Sequence, residues 1–181
     1  DGKGGFTGET ENYIESRGGD TGAMARYTHT LNGAFEVYKT DSGNYVLRQQ
    51  ADKQAYGKGG AWNKGDPVTL IGDFRWVNYA ASIDVLFEHT LNSPYAAVAI
   101  RQTGASHNLT NSSGYTFKVF ETGDWELYRK EIVVLTGTLF EEEFETGEGV
   151  WNNIKLEGVE NTIQAYVNNH LIATYEDEEP I

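Results

Sequence analysis

Hydrophobic and polar residues alternate with a period of two along much of the chain. Ile83, Val85 and Phe87 alternate with Asp84 and Glu88, which places the two groups on opposite faces of a strand. The same alternation recurs at residues 97–101, 115–119, 125–127 and 163–167, and turn-forming residues separate the runs. Only residues 50–56 could form a short helical turn. Because each half-apolar sheet must bury one face, the sequence predicts an all-β fold, an antiparallel β-sandwich.

Two glycine-rich segments break this pattern. Residues 1–25 are polar and show little periodicity, so we expect a loop or linker there, followed by the sandwich domain at residues 26–181. The second segment, residues 56–66, interrupts two strands and carries Trp62 among four glycines.

Composition narrows the classes of partner. The chain has 181 residues, with 27 acidic against 14 basic side chains and a formal net charge of −13. This charge repels phosphate backbones and anionic lipid, so nucleic acid is not an expected partner. No apolar run approaches the roughly 18 residues of a membrane helix, so we expect no membrane insertion. Cysteine is absent, which excludes disulfides, thiolate zinc sites and a cysteine nucleophile. The chain begins at Asp1 without an initiator methionine, and we interpret it as a piece of a longer protein.

Three segments, in order along the chain, resemble one protein family. They are residues 26–37 (RYTHTLNGAFEV), residues 45–49 (YVLRQ) and residues 68–79 (VTLIGDFRWVNY). Together they resemble the C-terminal lectin-like domain of galactocerebrosidases, the family-59 glycoside hydrolases. A later pattern, with aromatic residues at 115, 117, 125 and 151, is typical more widely of laminin-G and concanavalin-like sandwiches.

The resemblance implies a jelly-roll sandwich that is not itself an enzyme and that accompanies a catalytic barrel in the same parent chain. It implies recognition of a galactose-containing carbohydrate, in a secreted protein or, in an animal, a lysosomal one. Family members carry a calcium ion at the sandwich edge, but its ligands match no numbered residue here, so calcium is expected by resemblance only. The closing strand of the family is not recognisable after Tyr175, and we expect the acidic residues 176–179 to blunt the strand edge left open there.

Trp62 is the strongest candidate for sugar contact. Glycine loops do not bury large rings by themselves, whereas sugar C–H groups stack on indoles and Asn63 and Asp66 could bond hydroxyls. Tyr56 is a second candidate platform. The resemblance implies the same role, since a tryptophan of this loop lines the galactose pocket in that family. The simpler alternative is a loop anchor that folds back onto the sandwich.

Other aromatic and acidic residues have structural explanations. Trp76, Trp125 and Trp151 lie in or beside strands, and each is predicted to be a core or sheet-face aromatic. Trp125 and Tyr128 fall on opposite faces of one strand, so one of them faces away from the core, where a glycan-binding sheet face would use it. Arg101 alternates with Val98 and Ile100 along one such run. The acidic runs at 141–143 and 176–179 are interpreted as solvated faces.

Three functions remain open from the sequence. The first is a carbohydrate-binding module of a galactosidase-type hydrolase, with weak or no sugar binding in isolation. The second is a free-acting polysaccharide-binding module that uses a sheet face. The third is a laminin-G-like adhesion domain that binds a protein. Histidine metal motifs and serine-nucleophile motifs are absent from the sequence.

Overall fold

A computed structural model describes residues 21–22, 29–32, 35–49, 67–72, 75–90, 93–102 and 113–181. Every regular element in this part of the chain is a β-strand. The strands are β1 (Thr21–Gly22), β2 (His29–Asn32), β3 (Phe35–Lys39), β4 (Tyr45–Gln49), β5 (Val68–Leu70), β6 (Tyr79–Leu86), β7 (Tyr95–Ile100), β8 (Tyr115–Phe120), β9 (Asp124–Arg129), β10 (Ile132–Thr138), β11 (Trp151–Val159), β12 (Thr162–Val167) and β13 (His170–Glu176).

The chain divides into two compact units at residues 72 and 73. In the first unit, β1, β3 and β4 form an antiparallel sheet in the order β1-β3-β4, and β2 pairs with β5. Strand β1 falls within the segment that the sequence assigned to an N-terminal loop. The remainder of that segment, and the predicted helical turn at 50–56, lie outside the described residues.

The second unit is a sandwich of two four-stranded antiparallel sheets, ordered β10-β9-β8-β7 and β13-β12-β11-β6. Their inner faces supply one hydrophobic cluster. Its fully buried members include Phe117 opposite Leu127 in the first sheet and Leu156 opposite Ala165 in the second. The predicted all-β antiparallel sandwich is therefore confirmed, and the period-two alternation identifies the core faces of β8, β9, β11 and β12.

Tight turns in this unit use residues that tolerate left-handed backbone conformations. Asn168 and Asn169 join β12 to β13 with φ angles of +47° and +69°, as expected for a two-residue hairpin of the type I′ kind. Gly123 joins β8 to β9 at φ +88°. On β10, Gly137 lies against Trp125, and an added Cβ would lie 2.9 Å from the indole Cζ2. This glycine makes room for the largest ring in the core.

Candidate functional site

The predicted sugar-binding residues, Trp62, Tyr56, Asn63 and Asp66, lie outside the described residues. Their roles stay predictions. The described part of the chain contains the other three tryptophans, two clusters of buried charge and one polar sheet face.

Trp125 and Tyr128 occupy opposite faces of β9, as predicted. Trp125 is 8% exposed and packs on Phe117 with ring centroids 6.0 Å apart. Tyr128 points away from the core, and its hydroxyl donates a 2.5 Å hydrogen bond to the Glu126 carboxylate on the same face. The outward aromatic of this strand is therefore already held by a neighbouring acid.

Trp76 and Trp151 are the exposed tryptophans of the described chain. Trp151 is the first residue of β11 and is 50% exposed on the outer face, which confirms a sheet-face position. Trp76 was expected within or beside a strand, buried or on a sheet face. That expectation is wrong, because it lies in the irregular segment before β6 and is 53% exposed, with its ring edge-on to Tyr79 at 5.6 Å. The alternating pattern does not begin until Tyr79.

The outer face of the β13-β12-β11-β6 sheet is polar with one central aromatic. The Lys155 ammonium lies 3.8 Å from the centroid of the Tyr166 ring and 3.2 Å from the Glu157 carboxylate. The Tyr166 hydroxyl donates to the Gln164 side chain at 2.9 Å. One face of the tyrosine ring is thus covered by a cation, which reduces its value as a stacking platform for a sugar.

Arg101 is buried, although it directly follows the buried Ile100 in an alternating run. Its φ of +53° turns the side chain inward directly after Ile100, and it is only 7% exposed. Its Nε donates to the Val77 carbonyl at 2.9 Å, its Nη2 lies 3.5 Å from the Asn78 side-chain oxygen, and its guanidinium carbon lies 5.9 Å from the centroid of the Tyr115 ring. A period-two pattern cannot anticipate this inward turn, because a residue in a left-handed conformation at a strand end leaves the alternation of the strand.

Asp177 is the centre of a second buried polar cluster, which corrects the interpretation of residues 176–179 as a solvated run. The side chain is 3% exposed and accepts hydrogen bonds from the Tyr115 hydroxyl at 2.5 Å and from Arg129 Nε at 2.6 Å. The Glu179 amide donates to the other carboxylate oxygen at 3.0 Å. Burial raises the pKa of Asp177, but the hydrogen bonds from Tyr115 and Arg129 outweigh it and bring the pKa below its ordinary value. Burial, together with the bond to Asp177, raises the pKa of Tyr115. The cluster fixes the segment after β13 to the sandwich.

Residues 30–180 match the galactocerebrosidase C-terminal lectin domain family. The chain belongs to this family. A lectin domain is a non-catalytic carbohydrate-binding module, so the coarse functional class follows from membership.

One solved structure, a carbohydrate-binding module, shares the fold of this lectin domain. The carbohydrate-binding module CBM66 from Bacillus subtilis superposes with a TM-score of 0.57 at 13% sequence identity, over 83% of this chain and 80% of its own. Galectin-11 from sheep, in a complex with glycerol, gives a TM-score of 0.39 at 18% identity, over 58% of this chain and 76% of its own. No curated protein matches the sequence significantly.

Among the described residues, no three acidic or histidine side chains are grouped so as to hold a metal ion, so the calcium expected by resemblance stays a prediction. Within the same part of the chain, no helix is long and apolar enough to span a membrane.

Proposed function

We propose that this chain is the non-catalytic carbohydrate-binding module of a galactosidase-type glycoside hydrolase. Its role is to contribute to recognition of a galactosyl glycan or glycolipid by a catalytic barrel in the same parent chain. The observation that carries the proposal is the family match over residues 30–180. The expected setting is extracellular or, in an animal, lysosomal, and a structural calcium ion belongs to the same proposal.

The proposed galactosyl contact is Trp62, with Tyr56 as a second platform. An indole covers the apolar C–H face of a galactose ring, and Asn63 and Asp66 supply an amide and a carboxylate for its hydroxyls. Glycines on both sides of Trp62 let the backbone approach a neighbouring surface closely. Trp125 does not compete for this role, since it is a core residue.

The alternative of a free-acting polysaccharide module depends on an exposed sheet face. Trp151 supports it, because half of its surface is exposed at one end of the β13-β12-β11-β6 face. The centre of that face argues against it, since Lys155 already covers the Tyr166 ring. The laminin-G-like adhesion alternative would replace the carbohydrate by a protein partner.

Calorimetric titration with galactosides and with polysaccharides separates these functions. The chain is compared with Trp62→Ala and Trp151→Ala, which serve as a matched pair of variants. The proposal predicts weak or no galactoside binding by the chain alone, and galactoside binding by the parent protein that Trp62→Ala abolishes and Trp151→Ala preserves. Strong polysaccharide binding that only Trp151→Ala reduces would replace the proposal by the sheet-face alternative. Absence of saccharide binding both by the chain and by its parent protein would favour the adhesion domain.

A further inference from the structure

Arg101 is a buried cation that lacks a counter-charge in the described part of the chain. The partly exposed Arg129 lies 2.6 Å from the Asp177 carboxylate, whereas the partners of the buried Arg101 are a carbonyl, an amide and an aromatic ring. Removing a guanidinium from water without an anion nearby costs free energy that neutral hydrogen bonds only partly offset. Buried charges in proteins are normally paired, so this cation has a cost that its neutral partners do not fully offset.

The backbone around Arg101 is arranged to hold it in this position. Its own φ of +53° is an uncommon conformation for a residue with a side chain. Two glycines make room for it, because a Cβ on Gly114 would lie 2.1 Å from the Ile100 carbonyl oxygen and one on Gly158 would lie 3.3 Å from Arg101 Nε. The Arg101 amide also donates a 2.6 Å hydrogen bond to the Tyr79 hydroxyl. The guanidinium is therefore preorganised.

Other features at the same end of the sandwich suit a ligand. Trp76 is 53% exposed and its ring meets the edge of Tyr79, the residue that anchors the Arg101 backbone. The two residues that follow Trp76 are those that accept the Arg101 guanidinium bonds. Gln102, next to Arg101, has a buried side-chain nitrogen that meets no hydrogen-bond acceptor among the described residues. An exposed indole, a buried cation and one donor without an acceptor among the described residues thus lie along one short stretch of structure.

We propose that this end of the sandwich is a second ligand site, which binds an acidic saccharide. Arg101 receives a carboxylate or sulfate oxygen, and the pyranose ring lies on Trp76. Arginine suits this role because its planar donors match the oxygens of carboxylate and sulfate groups. The net charge of −13 repels anions at long range, so recognition depends on the short-range contact with Arg101. The proposal rests on the carbohydrate-binding class of the proposed function but not on the Trp62 loop.

Calorimetric titration of the whole chain with galactose, methyl galactopyranosiduronate and galactose 6-sulfate tests this proposal. We expect one or both anionic sugars to bind about tenfold more tightly than galactose, and the two arms identify the preferred anion. Trp76→Ala should remove that preference, while Trp151→Ala, a matched tryptophan of similar exposure, should leave affinity within about twofold. Arg101→Gln should lower the affinity for the preferred anionic sugar by roughly 10- to 100-fold, and Arg101→Lys should retain only part of that affinity.

Arg101 variants could fail to fold, in which case the comparison of Trp76→Ala with Trp151→Ala still decides the question. Equal affinity for galactose and both anionic sugars would overturn the proposal. So would an anionic preference that Trp76→Ala leaves intact. Loss of galactose binding in Trp62→Ala alone reports on the proposed function and leaves this site unaffected.

Discussion

Replacing Asp177 by asparagine removes the charge at the centre of the cluster that holds the segment after β13. The carboxylate accepts three hydrogen bonds, from the Tyr115 hydroxyl, Arg129 Nε and the Glu179 amide. Asparagine keeps one acceptor oxygen and places an NH₂ group against at least one donor. A hydrogen bond to a charged group contributes about 1.5–3 kcal/mol, and a buried donor left unpaired costs about 1–3 kcal/mol.

Water can reduce the cost of the Asp177→Asn substitution at Arg129 but not at Tyr115. The Arg129 side chain remains 21% exposed, so water can solvate its charge after the substitution. The Tyr115 hydroxyl belongs to a fully buried residue and has no such access. We therefore expect Asp177→Asn to lower the free energy of unfolding by about 2–3 kcal/mol, most of it from the Tyr115 side.

Urea unfolding followed by tryptophan fluorescence measures this change, with Glu178→Gln as the control. Glu178 is the next residue of the same acidic run but is exposed, so its replacement should alter stability by no more than about 0.5 kcal/mol. Equal effects of the two substitutions would refute the reasoning, because they would show that residues 176–179 act only as a solvated charge run.

Two further predictions concern the same sandwich. The stability difference between wild type and Asp177→Asn should be fully present above the ordinary Asp pKa of 3.8 and should decline as the pH falls further. The reason is that the lowered pKa of Asp177 in the folded state delays its protonation. Unfolding measured across this pH range checks the prediction, and a difference that persists after Asp177 is protonated contradicts it. Gly137→Ala should lower the free energy of unfolding by about 1–3 kcal/mol, because the added Cβ would displace the Trp125 indole. Thr136→Ala, on the outer face of the same strand, should change it by no more than about 0.5 kcal/mol. Equal melting temperatures of the two variants would contradict the close contact between Gly137 and Trp125.

The sandwich could be predicted from the sequence because its signal is local and repeated. In β11 every second side chain is buried, from Asn152 to Gly158, and such alternation is visible in the residues themselves. The turns were visible for the same reason, since Asn168 and Asn169 are residues that tolerate left-handed conformations.

The buried charges could not be predicted in this way. Arg101 follows an alternating run and turns inward through one backbone angle, which no side-chain pattern encodes. Asp177 lies in an acidic run, and only the distant Tyr115 and Arg129 explain its burial. Trp76 shows the opposite failure, because an aromatic residue next to an alternating strand was assigned to that strand although it precedes it.

The most direct test of the proposed function is the catalytic efficiency of the parent hydrolase on a galactoside when Trp62 is replaced by alanine. If the indole stacks on the galactosyl ring, kcat/KM should fall roughly 5- to 150-fold, which corresponds to about 1–3 kcal/mol, while the melting temperature hardly changes. Trp151→Ala should leave kcat/KM unchanged in the same assay. A Trp62→Ala enzyme that melts much lower yet retains full galactoside activity would contradict the account, because it would show that the ring only anchors its own loop.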